Sequence, residues 1–372
     1  MIKKNNIISI RLKTTALLLV LGFVISSFTY TYVKENEPAP RVKKIILMIG
    51  DGMGITQVSA AMAVSEDHLH MTTTRHIGFI KTQSYDDYTT DSAASGTAMA
   101  TGTKTRNGMI GMDPDSNRVA NISELIRDQK NMSYGVVSTS AVTHATPASF
   151  VAHIASRADY ESIALEFVRN QPDVFIGGGK SDFADRTDKR NLIKLLENDG
   201  YEVAYTMDEL NQASADKVAG LLADDHMPRF SGGRDYMLSE ATRKAIQLLD
   251  RNKNGFFLMV EGSQIDWAGH ANDALYLVEE TLDFDIAVGV ALRFAARDRN
   301  TLVIVTADHE CGGMALPDGI LETNSIMPKF ATTGHTGVIV PVFAFGAGAE
   351  EFTGFYDNTD LFKKMSEAMR LR

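Results

Sequence analysis

Several short segments carry side chains suited to metal chemistry. Gly50-Asp51-Gly52-Met53-Gly54 sets one carboxylate among glycines, directly after an apolar run. Residues 260–270 read V-E-G-S-Q-I-D-W-A-G-H. Asp266 and His270 stand four apart, so on a helical turn they share a face, and a carboxylate with an imidazole is zinc-type ligation. Glu261 sits five residues before Asp266, at a strand end. Ala307-Asp308-His309-Glu310 follows another apolar run. Neighbours on an extended strand point to opposite faces, so Asp308 and His309 can share one ion only where the chain is already turning. Thr333-Gly334-His335-Thr336-Gly337 puts a histidine between glycines, in backbone able to approach another group closely. Ser92 opens the small-residue run Ser92-Ala93-Ala94-Ser95-Gly96, which can start a helix. A serine there lies in the positive field of a helix N-terminus, where anions bind. No G-x-S-x-G is present, so a histidine-activated serine hydrolase is not the natural reading. A metal ion could lower the serine pKa directly instead. Taken singly, each segment also reads as a helix cap, a tight turn or a solvated Asp–His pair.

These residues need elements to hold them. Continuous apolar runs at Lys44–Ile49, Tyr134–Ser138, Val174–Ile176, Phe256–Val260, Thr301–Thr306 and Val340–Phe345 read as buried strands. Helical patterns run over Ile55–Ser65, Val119–Gln129, Tyr160–Asn170, Lys189–Asn198, Glu240–Asp250 and Asn272–Arg297. The alternation predicts an α/β fold with a central, largely parallel sheet and helices on both faces. In such sheets functional residues gather past the carboxyl ends of the strands, where the segments above fall. Pro317–Thr333 reads as a long polar loop.

In combination and in this order, the motifs resemble those of the alkaline phosphatase family, over roughly residues 43–350. G-D-G-M-G at 50–54 is similar to its first metal motif, and T-D-S-A-A-S-G-T-A at 90–98 to its nucleophile motif. H-A-T-P-A-S-F-V-A-H-I-A-S-R at 144–157 is similar to the segment that supplies a magnesium ligand and a phosphate-gripping arginine. The resemblance implies a three-metal site. Asp266, His270 and His335 would hold one zinc; Asp51, Asp308 and His309 a second zinc beside Ser92. Asp51, Thr146 and Glu261 would hold a third ion, usually magnesium. Ser92 would be the nucleophile and Arg157 the phosphate clamp. His144 and Trp267 stand beside the third position, where other members carry Asp and Lys, so the identity of that ion is open. The implied activity is hydrolysis of small phosphate monoesters through a phosphoserine, with broad range and an alkaline optimum, by a homodimer. A phosphodiesterase of the same superfamily, or a catalytically silent phosphate-binding protein, are the alternatives; the complete nucleophile and ligand set argues against both.

Composition sets the remaining bounds. The 372 residues are 44% hydrophobic and 23% charged, which excludes disorder and a disulfide scaffold. A formal net charge of −10 argues against general nucleic-acid binding, so no specific nucleic-acid partner is expected. Lys3, Lys4, Arg11 and Lys13 precede an apolar run, Ala16–Ile25, closed by Ser26 and Ser27. Residues 1–33 therefore read as a signal peptide. Counted from Thr14 to Val33, the same stretch is just long enough to span a bilayer, so an uncleaved anchor is the alternative, and membrane attachment is expected only in that case. Residues 34–42 read as a linker and 43–372 as the catalytic domain of an exported protein, periplasmic or secreted. Cys311, the one cysteine, can form no internal disulfide and reads as a free thiol rather than a ligand. His68 and His70 form an H-x-H whose surroundings read as a solvated helix end, His76 and His226 show no constellation around them, and His153 reads as a satisfied buried histidine.

Overall fold

The structure is a computed structural model and describes residues 41–372; the expected signal peptide or anchor, with most of the linker, lies outside them. In chain order the strands are β1 (Lys44–Gly50), β2 (His76–Lys81), β3 (Ser133–Ala141), β4 (Val174–Gly178) and β5 (Tyr201–Ala204). Next come β6 (Lys217–Leu221), β7 (Phe256–Gly262), β8 (Thr301–Thr306), β9 (Glu310–Cys311) and β10 (Met314–Ile320). The last four are β11 (Ser325–Phe330), β12 (His335–Thr336), β13 (Val340–Gly346) and β14 (Gly354–Asp357). Ten of them form one sheet, ordered β14-β2-β13-β8-β1-β7-β3-β4-β6-β5. Only β13 runs antiparallel to its neighbours, β8 and β2.

Ile45 to Ile49 of β1 are all fully buried. Successive strand residues face opposite sides, so both faces of the sheet are covered by helices, as the unbroken apolar run requires. The four central strands start level: Ser133 lies opposite Phe256, Phe256 opposite Lys44, and Lys44 opposite Thr301. Being parallel, they also finish together, with Gly50 opposite Gly262 and Ser138 opposite Glu261. That shared carboxyl edge is where the chemistry-bearing segments meet.

Local capping sets the helix boundaries. Ser92–Thr101 begins where Asp91 accepts a hydrogen bond from the Ala94 N–H, and every residue of this helix is buried. Small side chains permit that close packing. The helix expected from Val119 starts instead at Ile122, because Asn121 and Glu124 form a reciprocal capping box. The one expected from Lys189 starts at Leu192, after an Asn191 cap. The expected long loop Pro317–Thr333 is corrected: most of it is an antiparallel hairpin, β10 with β11. Its outward residues mix polar side chains with Ile320, Leu321 and Met327, and only alternate positions of β11 are half-buried, so the sequence shows no continuous apolar run there.

Candidate metal and phosphate site

Three groups of ligand-type side chains lie at the carboxyl edge. In the first, Asp266 and His270 project from the helix Gln264–Ala271, and His335 comes from β12. The His270 Nε2 and His335 Nε2 lie 3.1 Å apart, and each is 3.3 Å from an Asp266 carboxylate oxygen. Both rings are aimed by backbone carbonyls: His270 Nδ1 is 2.6 Å from the Thr333 oxygen, and His335 Nδ1 is 2.9 Å from the Thr90 oxygen. An Nδ1–H that donates to a carbonyl leaves the Nε2 lone pair facing inward, the usual outer support of a metal-binding histidine. In the second group, His309 Nε2 is 3.1 Å from Asp308 Oδ2, 3.6 Å from Asp51 Oδ1 and 3.4 Å from the Ser92 hydroxyl. The turn immediately after β8 lets Asp308 and His309 face one point, as the adjacent spacing demanded. The third joins Asp51 with Glu261 and His144. Thr146 donates to Asp51 Oδ2 at 3.4 Å, while Ser138 and Ser263 donate to Glu261 Oε2 at 2.6 and 2.7 Å.

Atoms left without partners test whether ions fit. Asp51 Oδ1, Glu261 Oε1, Asp266 Oδ1, Asp308 Oδ2, His309 Nδ1 and His144 Nδ1 are buried with no hydrogen bond. Buried polar atoms are normally satisfied, and here five belong to expected ligands of the three positions and one to His144 beside them. Burial, then the neighbouring carboxylates Asp308, Asp266 and Glu261, push Asp51 well above the usual carboxyl range. Burial and the Asp266 charge push Asp308 up to about 7. Glu261 is raised by burial, against the hydrogen bonds of Ser138 and Ser263. Burial also disfavours charge on Asp266, but the His270 and His335 imidazoles 3.3 Å away outweigh it and hold that carboxyl well below its ordinary value. His270 is raised to about 9, chiefly by Asp266. Four crowded carboxylates with two converging imidazole lone pairs form a donor set that needs cations. Nitrogen-rich positions suit zinc, and the oxygen-rich third suits magnesium.

Ser92 is 2% exposed at its helix start. Asp91 organises the anion side of the pocket: its Oδ2 accepts from Arg157 at 2.9 Å and from the Gly108 N–H at 3.0 Å. A second Arg157 nitrogen lies 3.3 Å from His144 Nε2. Burial, then the Arg157 charge, pushes His144 down to about 3, so it is neutral and accepts from the guanidinium.

A family profile described as alkaline phosphatase matches residues 42–329. The chain belongs to the alkaline phosphatase family. It is 33% identical to alkaline phosphatase 3 of Bacillus subtilis, with 91% of each chain covered. It is 34% identical to the streptomycin-6-phosphate phosphatase of Streptomyces griseus, over 95% of this chain and 96% of that one. The solved alkaline phosphatase of the Antarctic bacterium TAB5 superposes with a TM-score of 0.85 at 41% identity, covering 90% of this chain and all of that one. A histidine-to-aspartate mutant of that enzyme is described with Mg bound in a site called M3. The chain is thus a metal-binding phosphatase, a phosphate monoester hydrolase.

The ligand, serine and arginine residues proposed from the sequence lie at this edge, together with Cys311 and His226, to which the sequence assigned no place in it. Cys311 belongs to the first group: a sulfur, carboxylate and two imidazole donor atoms all lie within 4.8 Å of one another. Its thiol is buried, and burial followed by the Asp266 charge raises its pKa, keeping it protonated without metal. His226, read as isolated, is corrected. Its ring centre lies 4.7 Å from Trp267 and 5.5 Å from His144, and its Nδ1 accepts from the Ala141 N–H at 3.0 Å. The loop that carries it is stapled to the core. Gln264 Nε2 donates to the Met227 carbonyl at 2.7 Å, and the buried Arg234 pairs with Glu280 and Asp283. His153 is satisfied as expected, between the Gly111 carbonyl and Glu124.

Proposed function

We propose that the chain hydrolyses a broad range of phosphate monoesters through a phosphoserine at Ser92, with two zinc ions and one magnesium ion. Asp266, His270 and His335 would hold one zinc; Asp51, Asp308 and His309 the other; Asp51, Thr146 and Glu261 the magnesium, with His144 and Trp267 alongside. The observation that carries this reading is the set of buried, unpartnered ligand atoms converging beside the Ser92 hydroxyl. When bound, the ions supply Lewis acidity to the attacking and leaving oxygens of an in-line displacement.

The chain's own residues do the rest. Arg157 has five N–H donors in a planar fork, of which Asp91 and His144 occupy only some, leaving others to grip two phosphate oxygens. Asp91 fixes that fork and also caps the helix that presents Ser92. Ser92 loses its proton and attacks phosphorus; the alcohol departs from the opposite side, and a phosphoserine forms. The Ser92 proton leaves with the alcohol; water then cleaves the Ser–O–P linkage, its oxygen going to the released inorganic phosphate and one of its protons restoring the Ser92 hydroxyl. Serine deprotonation becomes easier as pH rises, which supports an alkaline optimum.

Ser92→Ala provides the test. Retained metal, no phosphoenzyme trapped from labelled monoester, and turnover lowered on the order of 10³–10⁶-fold are expected. Full activity in that variant would sink the mechanism. Export is supported by the basic start and apolar run of residues 1–33, and amino-terminal sequencing of the mature protein tests cleavage. A homodimer is supported by apolar side chains exposed on the β10–β11 hairpin, Ile320, Leu321 and Met327, beside exposed Ile55 and Met62. Mass measurement by light scattering tests it.

A further inference from the structure

The edge of the sheet opposite the catalytic one carries a charge opposite in sign to that of the whole chain. There, β8, β1, β7 and β3 are neighbours and start level. Their lead-ins are residues 297–300, 41–44, 250–255 and 127–133. These hold nine cations, Arg41, Lys43, Lys44, Arg127, Lys130, Arg251, Lys253, Arg297 and Arg299, against three acids. All three acids are already engaged. Lys44 bonds Asp250 and Asp298, and Asp128 lies 3.6 Å from Arg127. Arg41, Lys253, Arg297 and Arg299 are exposed, and among the described residues none of them has an ion pair. Such a surplus stands out in a chain of net charge −10.

Beside these lead-ins a cavity of about 500 Å³ opens between the helices Met237–Leu249 and Ala274–Arg297. Arg243, Arg293 and Arg297 line it over an apolar floor of Ile246, Val290 and Phe294, against one acid, Asp250, which is paired with Lys44. Cations in the last turn of a helix also stabilise that helix end, which accounts for Arg297. It does not account for Arg41, Lys43, Lys253 and Arg299, which lie outside any helix. Glu350 and Glu351, after β13, form the acidic border of the region.

We propose that this edge is a docking face for a bilayer bearing anionic headgroups, with the catalytic edge turned away from it. Charge complementarity is the first argument, since clustered Lys and Arg side chains are drawn to an anionic leaflet within a Debye length. Arginines over an apolar floor also match a surface that is charged outside and oily beneath. The third argument is where the preceding chain joins. Arg41 and Lys43 lead into β1 at this same edge, and the residues before them include Lys3, Lys4, Arg11, Lys13 and the apolar run Ala16–Ile25. The proposal is independent of the catalytic mechanism.

The test is co-sedimentation of the full chain with vesicles of neutral phosphatidylcholine, or of phosphatidylcholine with phosphatidylglycerol. Inorganic phosphate is present throughout to occupy the catalytic pocket. Arg243→Gln/Arg293→Gln/Arg297→Gln is compared with wild type, and Lys253→Gln/Arg299→Gln serves as a second variant on the same face. Wild type should prefer anionic vesicles, and lose that preference in high salt. At about fivefold per cation, the triple variant should weaken it on the order of 100-fold. Binding to neutral vesicles, which reports the apolar segment, and monoester turnover should both be unchanged. Equal binding to both vesicle types, or variants that bind anionic vesicles like wild type, would overturn the proposal. So would equally tight binding of soluble polyphosphate, which would assign the face to free polyanions.

Discussion

Gly52→Ala is the sharpest test of how the ligand segments are assembled. Gly52 has φ +73°, and a Cβ there would meet Asp266 Cα at 2.7 Å, Asp266 Cβ at 3.0 Å and Cys311 Cβ at 3.0 Å. Its N–H donates to Asp308 Oδ1 at 3.1 Å and its carbonyl accepts from the Cys311 N–H at 3.2 Å. Residue 52 therefore cannot retreat without dragging the second group, so the added carbon must displace Asp266 and the first. A left-handed alanine costs about 1–2 kcal/mol, and overpacking adds about 1–3 kcal/mol. Gly200 supplies the control: φ is +88° there, with nothing within 4 Å of the added carbon. Gly200→Ala bears the backbone cost alone, so the difference between the two variants isolates the crowding against Asp266. Thermal unfolding of both proteins, metal content after gel filtration, and p-nitrophenyl phosphate turnover are the assays. Gly52→Ala should unfold with about 1–3 kcal/mol less stability than Gly200→Ala and lose zinc from the first position. A misplacement approaching 1 Å near reacting groups can cost about 10²-fold in rate, so a turnover loss of that order is expected. Equal stability and equal zinc content in the two variants would refute the reasoning.

Other expectations follow from the same geometry. Arg157→Lys should lower kcat/KM by about 10–100-fold while metal content stays constant, because an ammonium cannot grip two oxygens as a planar fork does; steady-state kinetics with metal analysis checks it. His226→Ala removes a ring from the face of Trp267, the sole tryptophan. Its indole emission should shift to the red and quench more readily with acrylamide, with and without magnesium; an unchanged spectrum would show that the ring does not shield it. The metal-free protein should lose stability as pH rises from about 4 to 9, with the Asp308 contribution lost by about pH 7 and the His270 contribution lost between about 6.5 and 9. Asp308 and His270 have folded pKa values raised to about 7 and about 9, so their bound protons stabilise the fold at low pH and are lost as pH climbs through those values. Metal replaces those protons, so the fall in melting temperature on chelation should be larger at pH 9 than at pH 6. An equal fall at both would contradict the assignment.

What the sequence disclosed, and what it hid, follows from the range of the interactions involved. Asp266 with His270, and Asp308 with His309, are local pairs whose spacing already implies a shared face or a turn. The central strands are apolar throughout because both sheet faces are covered. The β10–β11 hairpin was hidden because Pro317, Asp318 and Gly319 interrupt any alternation, and one side of it faces solvent. The edge strand β5 and its neighbour β6 were hidden by their shortness, four and five residues. His226 lies 41 residues before Trp267 with no periodic relation to it, and only the staples at Gln264 and Arg234 bring the two rings together. Cys311 follows the Asp308–His309 turn in sequence, but the pairing of β9 with β12 turns it toward the other histidines.

The carbonyl that aims His270 belongs to Thr333, in an exposed segment, whereas the one that aims His335 belongs to the buried Thr90. His309, by contrast, is wholly enclosed. An ion at the first position would therefore rest on one helix, through Asp266 and His270, and on the exposed segment that carries His335, and an ion at the second would lie in the interior of the fold. Exchange at the first position becomes a question of how often residues 331–336 lift away, a rate set by local unfolding rather than by bond strength. Cooling, which slows such opening, should lengthen the residence of that ion more than any change of ligand chemistry would.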